Sequence, residues 1–400
     1  MAKAKAKDKE KDEAPKTDKP LSNKAFMSMM NKKLGEETIF AFDGEASVKV
    51  QPVSTGVPSL DYALGIGGLP LGRMVEIYGP ESSGKTTIAL KTIAQFQKFA
   101  KIIPHVLYGK KVVFIDAEHA LDPFHAQALG VDISAETGML IIQPNNGEEA
   151  YDAMVSLILS GQVGMIVGDS LPSFIPKVVI DGSAEDNHMM VAARLNSQMI
   201  PVVTQHAQKN DTLVIMINQI REKPTMYGNP ETTPGGRALK FYSSVRLEVR
   251  RKVIEKSGTH LGQTMTVKVI KNKVARPYTT SVFDYYWDTG IDVVKDIMNV
   301  AIDMDIIKRA GAWYYLGEDS KNPLMDGENN PLKWNGKDMT EAVLKQSPAL
   351  FAYIDDIVQG RIPKDAQFVD EDHEQDGELE GEIAETGESA EELEQPKLDV

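Results

Sequence analysis

The sequence predicts an α/β fold built around a largely parallel, twisted sheet, and two observations lead to this class. Between about residues 50 and 290, short apolar runs alternate with amphipathic helical patterns, as a wound parallel sheet requires. The apolar run Met74–Tyr78 also leads directly into the glycine-containing segment Gly79–Thr86, which opens a helical pattern. With 400 residues and 42% hydrophobic content, the chain is long and apolar enough to bury such a core.

The predicted strands are short runs rich in Val, Ile, Met and aromatic residues. They are Met74–Tyr78, Val112–Ile115, Met139–Ile142, Met165–Val167, Leu213–Ile217, Val245–Val249, Met265–Ile270 and Tyr278–Tyr286. After Gly290, helical patterns and a Gly/Asn/Pro-rich loop at Gly317–Gly336 predict a small α-rich domain that ends near Gly360.

The two ends of the chain differ in composition from this core. Residues 1–20 are charged and lack apolar periodicity, which predicts a disordered leader. Apolar residues at helical spacing predict a short amphipathic helix over residues 21–35, whose apolar face packs either on its own domain or on a neighbouring subunit. The predicted organisation is a leader (1–20), an N-terminal oligomerisation helix and linker (21–50), a core (51–290), a C-terminal domain (291–360) and an acidic tail (361–400).

Charge and cysteine content exclude several classes of protein. The net charge is −14, but residues 370–400 carry 14 Asp or Glu against one Lys, so the rest of the chain is nearly neutral and can carry basic patches. The absence of cysteine excludes disulfides, thiolate metal sites and cysteine nucleophiles. Because the Lys-rich start lacks the apolar segment of a secretory signal and no long apolar run follows, a cytoplasmic protein without membrane contact is expected.

The segment Gly79–Thr86 (GPESSGKT) fits the phosphate-binding loop Gly-x-x-x-x-Gly-Lys-Thr. Its glycines allow backbone N–H groups to close around phosphate at the positive end of the following helix. Lys85 would neutralise the β- and γ-phosphate oxygens, and the Thr86 hydroxyl would bind Mg²⁺. The sequence therefore predicts ATP and Mg²⁺ as cofactors.

Carboxylates follow two of the predicted strands. Asp169 lies just after Met165–Val167 and suits the acidic group that orients hydrated Mg²⁺. Asp116 and Glu118 both follow Val112–Ile115, at the sheet edge where catalytic residues gather in open α/β folds. Either carboxylate could activate water, and spacing alone does not choose between them.

Six segments together carry a family resemblance. They are Gly79–Thr87 (GPESSGKTT), Phe114–Pro123 (FIDAEHALDP), Asn218–Arg221 (NQIR), Gly228–Thr233 (GNPETT), Gly235–Tyr242 (GGRALKFY) and Lys271–Lys273 (KNK). In these segments the chain resembles the bacterial RecA family, from about Ser54 to Tyr314. The resemblance implies a RecA-like P-loop NTPase core, and an ATP-dependent recombinase that forms helical filaments on single-stranded DNA and pairs it with homologous double-stranded DNA.

The resemblance also implies roles for individual residues. Glu118 would activate water, Gln219 would sense the γ-phosphate, and Lys271 and Lys273 would reach the ATP of the adjacent subunit. The implied nucleotide-binding residues are Gly79, Pro80, Glu81, Ser82, Ser83, Gly84, Lys85, Thr86, Thr87, Asp122, His125, Asp169, Trp287 and Gly290. The implied DNA-binding residues are Met189, Arg194, Ser197, Arg221, Met226, Tyr227, Gly235, Gly236 and Arg237, in and around two loops at about Lys177–His188 and Glu222–Gly236.

Some positions depart from the family pattern. Pro201 stands where a DNA-contacting arginine is usual, and Arg237 stands at a position often held by asparagine. His125 and Trp287 replace tyrosines of the adenine pocket, so stacking on the base would pass to Trp287.

Two alternatives remain open at this stage. A hexameric RecA-like helicase motor shares the fold, but the Lys271–Lys273 element argues against it. The acidic tail is either a solvated extension or an autoinhibitor that competes with DNA phosphate for basic surfaces. A LexA-type repressor and single-strand-binding or loading proteins are further candidate partners.

Overall fold

A nine-stranded sheet lies at the centre of the larger of two structural units, residues 50–400; the smaller unit is residues 1–49. The structure, a computed structural model, describes residues 21–34, 39, 50–182, 190–222, 231–364, 366 and 368. In the smaller unit, helix α1 (Asn23–Leu34) confirms the predicted amphipathic helix. No residue of α1 is buried, and Phe26 and Met29 are exposed on it.

The larger unit alternates strands and helices over most of its length. Its strands are β1 (Pro52–Val53), β2 (Leu69–Pro70), β3 (Met74–Gly79), β4 (Lys111–Asp116), β5 (Leu140–Ile142), β6 (Val163–Asp169), β7 (Leu213–Gln219), β8 (Arg221–Glu222), β9 (Glu231–Thr232), β10 (Val245–Lys256), β11 (Thr259–Asn272), β12 (Thr280–Tyr286), β13 (Gly290–Ile291), β14 (Ile307–Ala310), β15 (Trp313–Leu316) and β16 (Lys333–Asn335). Its helices are α2 (Pro58–Leu64), α3 (Lys85–Phe99), α4 (Pro123–Ala128), α5 (Gly147–Leu159), α6 (Lys177–Ile180), α7 (Val191–Lys209), α8 (Ala238–Tyr242), α9 (Val293–Asp303), α10 (Lys337–Gln346) and α11 (Pro348–Val358).

The strand order in the main sheet is β13-β12-β11-β10-β3-β7-β6-β4-β5. The pairs from β10 through β3, β7, β6 and β4 to β5 are all parallel, and β10 to β13 pair antiparallel. This confirms the predicted α/β fold with a largely parallel sheet, and all eight predicted strands are present. The β10–β11 hairpin is longer than predicted and runs past the end of β3.

Apolar side chains cover both faces of this sheet. On one face, α2 and α3 pack through residues such as Leu60, Ile88 and Ile93. On the other face, α5 and α7 pack through Met154 and Ile200, together with their buried neighbours. Because both faces are buried, the central strands are apolar at nearly every position.

The C-terminal part of the unit has its own apolar core. Helices α9, α10 and α11 confirm the helical patterns expected after Gly290, and they pack on an antiparallel sheet of order β14-β15-β16 that the sequence did not predict. Strand β16 lies inside the segment expected to be a loop. Ile362 and Phe368 also pack against this core, so packing continues beyond the expected end at Gly360.

In the part of the chain that the structure describes, no helix is both long enough and apolar enough to cross a lipid bilayer.

Candidate functional site

The phosphate-loop segment connects β3 to α3, and two of its glycines are required by close contacts. Gly84 has φ +93°, and a Cβ there would lie 2.3 Å from Cε of Met265. A Cβ at Gly79 would lie 2.2 Å from the backbone oxygen of Val249. The backbone of the β10–β11 hairpin therefore excludes a side chain at Gly79, and the positive φ and the Met265 side chain strongly disfavour one at Gly84.

Lys85, Thr86 and Asp169 meet at the end of this loop. The Lys85 side chain is 8% exposed, and its Nζ donates a hydrogen bond of 2.7 Å to the backbone oxygen of Pro80. Burial lowers the pKa of Lys85, and nearby carboxylates, chiefly Asp169, oppose that shift. Thr86 Oγ1 donates to Oδ2 of Asp169 over 2.7 Å, while burial raises the pKa of Asp169 to about 6.

This pair fits a magnesium ion held jointly by protein and nucleotide. Mg²⁺ usually keeps several waters and takes one or two protein oxygens together with phosphate oxygens. The hydroxyl of Thr86 and the carboxylate of Asp169 supply two such oxygens beside the loop. Within the described ranges there is no cluster of three His, Cys, Asp or Glu that could hold a metal by itself.

The two carboxylates that follow β4 have different surroundings. Asp116 is 3% exposed, and its oxygens accept hydrogen bonds from the backbone N–H groups of Ala120 and Leu121. Glu118 is exposed, and its Oε1 accepts hydrogen bonds from Ser170 Oγ and from Gln219 Nε2, the latter at 3.2 Å. Asp116 therefore stabilises the turn after β4, whereas Glu118 is exposed and contacts Gln219.

A buried polar network lies directly behind Gln219. Glu76 of β3 is fully buried and forms an ion pair with Arg246 of β10. Asn218 Nδ2 donates to Oε1 of Glu76 over 2.9 Å, and Asn218 Oδ1 accepts from the backbone N–H of Gln219 at 2.9 Å. The network links three neighbouring strands and fixes the backbone at the end of β7.

An open cavity of about 420 Å³ extends from the phosphate loop toward an aromatic wall. Its lining residues are Ser82, Ser83, Gly84, Lys85, Thr86, Thr87, His125, Arg251, Gln263, Tyr285 and Trp287. Among the implied nucleotide-binding residues, His125 and Trp287 thus lie in the cavity. Asp122 instead caps α4 through its side chain, and Gly290 pairs with Tyr286 in β13.

Sequence reasoning missed Arg251, Gln263 and Tyr285 as cavity residues. They lie on the three adjacent strands β10, β11 and β12, where Arg251 pairs with Met265 and Gln263 pairs with Tyr285. The signal that could have found them is the length of the β10–β11 hairpin, which carries these side chains past the end of β3. That length depends on pairing between distant segments, which apolar periodicity does not report.

Lys271 and Lys273 do not line this cavity. The Nζ of Lys271 donates hydrogen bonds of 2.8 and 2.9 Å to the backbone oxygens of Lys240 and Phe241. Partial burial lowers the pKa of Lys271, and the charge of Lys273 adds to that effect. Phe241 is 66% exposed beside this pair, so the two lysines accompany an exposed aromatic ring.

The implied DNA-binding residues that the structure describes fall into two groups. Arg194 and Ser197 are exposed near the start of α7, and Gly235 and Gly236 pack directly against that helix. Asn196 Nδ2 donates to the backbone oxygen of Gly235 over 3.0 Å, which joins the helix to the Gly-Gly turn. The structure thereby brings Arg194, Ser197, Gly235, Gly236 and Arg237 to one region.

The other described residue, Arg221, is exposed in the short β8–β9 ladder, where it pairs with Thr232. Met189, Met226 and Tyr227 lie outside the described residues. Of the two implied loops, the segment Lys177–Ile180 forms the short helix α6.

Comparisons with known proteins point to one family. The RecA N-terminal domain family matches residues 22–292. A Protein RecA of Heliobacterium modesticaldum is 44% identical over 339 residues, which cover 84% of this chain and 91% of the relative. A Protein RecA of Mannheimia haemolytica is 42% identical over 347 residues (86% and 88%), and one of Clostridium novyi is 44% identical over 314 residues (77% and 86%).

Proposed function

The chain belongs to the RecA family and is an ATP-dependent recombinase of homologous recombination and DNA repair, and we propose that the site built around Lys85, Glu118 and Gln219 performs its ATP hydrolysis. The observation that supports this proposal most is the hydrogen bond from Gln219 Nε2 to Glu118 Oε1. It joins the last residue of β7 to the carboxylate that follows β4. Family membership also implies binding to single- and double-stranded DNA and assembly into filaments.

In the proposed mechanism, the loop N–H groups and Lys85 hold the phosphates of ATP. Lys85 Nζ would leave its contact with the Pro80 oxygen and turn to the β- and γ-phosphate oxygens. Mg²⁺ bound with ATP would be held by Thr86 and Asp169 and would neutralise phosphate charge. Burial of Lys85 favours this, because an ammonium in a poorly solvated site gains more from a phosphate partner.

Glu118 would orient and deprotonate the attacking water. Glu118 is exposed, whereas Asp116 is buried and accepts hydrogen bonds from backbone N–H groups, and this contrast supports Glu118 over Asp116. Gln219 would then serve as the sensor, since its amide touches Glu118 and the chain leads from it into the segment implied to bind DNA.

The charge that develops on the transferred phosphoryl group would be offset by Lys271 and Lys273 of a neighbouring subunit. Their position outside the cavity of their own chain, beside the exposed Phe241, supports a role across a subunit interface. The exposed apolar residues of α1, such as Phe26 and Met29, suit the same kind of assembly.

Exposed Arg194 and Ser197, with the Gly235–Gly236 turn, would bind DNA phosphates. We place the protein in the cytoplasm, where its DNA substrates are. The acidic tail, with its 14 carboxylates in residues 370–400, would compete with DNA phosphate for basic surfaces. The further partners that we propose are a LexA-type repressor and single-strand-binding or loading proteins.

The test of this function is negative-stain electron microscopy of the full chain with an ATP analogue and single-stranded DNA, combined with an assay of phosphate release. We expect helical filaments and DNA-stimulated hydrolysis, both absent from Lys85→Ala. Closed rings that unwind DNA would instead identify a helicase motor.

A further inference from the structure

Ser170 carries a buried hydroxyl that contacts the carboxylate proposed to activate water. It directly follows β6, and its residue exposure is 1%. Its Oγ donates a hydrogen bond to Oε1 of Glu118, and in the described part of the chain this hydroxyl has no other partner. Because a hydroxyl that is shielded from water needs a partner, the contact with Glu118 determines where the Ser170 side chain points.

The main sheet brings Ser170 and Glu118 together through paired backbone. Asp116, the last residue of β4, pairs in parallel register with Asp169, the last residue of β6. The backbone N–H of Ala117 donates a hydrogen bond of 2.9 Å to the backbone oxygen of Asp169. Glu118 and Ser170 therefore follow two strand ends whose relative position the sheet fixes.

Two donors from neighbouring strand ends converge on one oxygen of Glu118. Ser170 follows β6, Gln219 ends β7, and both side chains donate to Oε1. Among the residues that the structure describes, none donates a hydrogen bond to Oε2. A carboxylate held through one oxygen keeps the second oxygen for another donor. In the proposed mechanism that donor is the attacking water.

The two donors differ in what else they can contact. Gln219 is half-buried and has a long side chain, and in the proposed mechanism its amide turns to the γ-phosphate. Ser170 is buried and has a short side chain, so its hydroxyl stays at the end of β6. When the amide of Gln219 turns to phosphate, the hydrogen bond from Ser170 is the one that remains on Oε1 of Glu118.

We propose that Ser170 is a positioning residue for ATP hydrolysis, whose hydroxyl holds Oε1 of Glu118 so that Oε2 receives the proton of the attacking water. The proposal rests on the proposed function, because it requires Glu118 to act as the general base. The chemical step keeps its balance: the water oxygen bonds to the γ-phosphorus, the bond from the γ-phosphorus to the ADP oxygen breaks, and Glu118 takes the proton. Ser170 acts on this step only through Glu118.

The test compares Ser170→Ala with the parent protein in steady-state ATP hydrolysis, with and without single-stranded DNA. We expect kcat to fall about ten- to a hundredfold, because a displacement of a reacting group by about 1 Å can cost that much. The factor should be the same with and without DNA, since the Ser170 contact does not depend on Gln219. KM for ATP and the calorimetric affinity for Mg²⁺ with ADP should change by less than about twofold, because the contact serves the chemical step.

Two further variants separate positioning from a structural role. Ser170→Thr keeps the hydroxyl and should restore kcat to within about threefold of the parent value. In the Glu118→Ala background, Ser170→Ala should cause no further loss of phosphate release in single-turnover reactions, because no carboxylate is left to position. The matched control is Ser173→Ala, three residues further along the same segment, which should keep the kcat of the parent.

Thermal melting checks that each variant folds. Ser170→Cys, which keeps a side chain of similar size but donates weakly, replaces Ser170→Ala if that variant does not fold. Parental kcat in Ser170→Ala, or a further loss in the Glu118→Ala background, would overturn the inference and leave the proposed function intact. A loss of affinity for Mg²⁺ with ADP as large as the loss of kcat would also overturn it and assign Ser170 to the metal site beside Asp169. Parental hydrolysis by Glu118→Ala would overturn both proposals.

Discussion

Gln219 and Glu118, 101 positions apart in the chain, share a hydrogen bond of 3.2 Å from Nε2 to Oε1. Gln219 is the last residue of β7, and Glu118 lies two residues beyond the end of β4. The parallel sheet brings both ends to one edge, with β6 between the two strands. A group that would sense phosphate therefore touches the group that would activate water.

The first prediction concerns this contact. Gln219→Ala should reduce DNA-stimulated ATP hydrolysis about tenfold or more, because the carboxylate loses a donor that orients it. Affinity for ADP, which has no γ-phosphate, should change little, since Gln219 does not line the cavity. Steady-state hydrolysis with and without single-stranded DNA checks this, with Gln205→Ala on the exposed face of α7 as control. Full stimulation of ATP hydrolysis by DNA in Gln219→Ala would show that Gln219 does not couple DNA binding to hydrolysis.

The second prediction concerns the buried ion pair behind Gln219. Arg246→Met leaves the fully buried carboxylate of Glu76 without its charged partner, and we expect a loss of about 3–5 kcal/mol in the free energy of unfolding. Arg361→Met removes surface ion pairs with Asp355 and Asp356, made by a half-exposed arginine, and should cost about 1 kcal/mol or less. Urea unfolding of both variants provides the comparison. Equal midpoints for the two would show that the buried pair adds no special stability.

The third prediction concerns pH and nucleotide binding. Burial raises the pKa of Asp169 to about 6, so its carboxylate becomes protonated as the pH falls below that value. Only the ionised carboxylate attracts Mg²⁺, so we expect affinity for Mg²⁺ with ADP to fall by up to about tenfold per pH unit below 6. The phosphate groups of the nucleotide titrate in the same range and contribute equally in every protein variant.

Asp169→Asn isolates the contribution of the protein to that effect. Its affinity should be lower at pH 7 and should lack the part of the pH dependence that comes from Asp169. Calorimetry at several pH values between 5 and 8 makes the comparison. Identical pH profiles for the two proteins would contradict a role of Asp169 in holding the metal.

The fourth prediction concerns Asp296, which joins α9 to α2. Its Oδ2 accepts from the backbone N–H of Ser59 over 2.8 Å, and burial raises its pKa to about 6. Because the folded state then binds this proton more tightly than the unfolded state, the Asp296 contribution to stability falls as the pH rises from about 4 to 6. In the nucleotide-free protein, Asp296→Asn should therefore gain about 2–3 kcal/mol relative to the parent over that interval. Denaturant midpoints at both pH values measure it, and a constant difference between the two proteins would refute it.

The fold could be predicted to the extent that it depends on local patterns. The run Met74–Tyr78 before Gly79–Thr86 placed a strand, a loop and a helix correctly, since apolar periodicity and glycine chemistry are local properties. The sheet β14-β15-β16 was missed because its strands have three or four residues each and are stabilised by pairing rather than by periodicity.

The site residues, too, could be predicted from the sequence only where they depend on local patterns. Lys85, Thr86 and Asp169 were found from their positions relative to predicted strands, and the structure joins Thr86 to Asp169 directly. The choice between Asp116 and Glu118 needed the backbone of the turn, because only the folded turn directs N–H groups at Asp116. Gln263 could not be identified as a cavity residue from the sequence, because its place in the cavity follows from the register of β11 with β12.

The most direct test of the central claim is strand exchange between circular single-stranded DNA and homologous linear duplex DNA with ATP. The parent protein, Lys85→Ala and Glu118→Ala are compared in the same reaction. We expect joint molecules with the parent, none with Lys85→Ala, and pairing without sustained hydrolysis with Glu118→Ala. Hydrolysis by the parent with strand unwinding and no joint molecules would contradict the account.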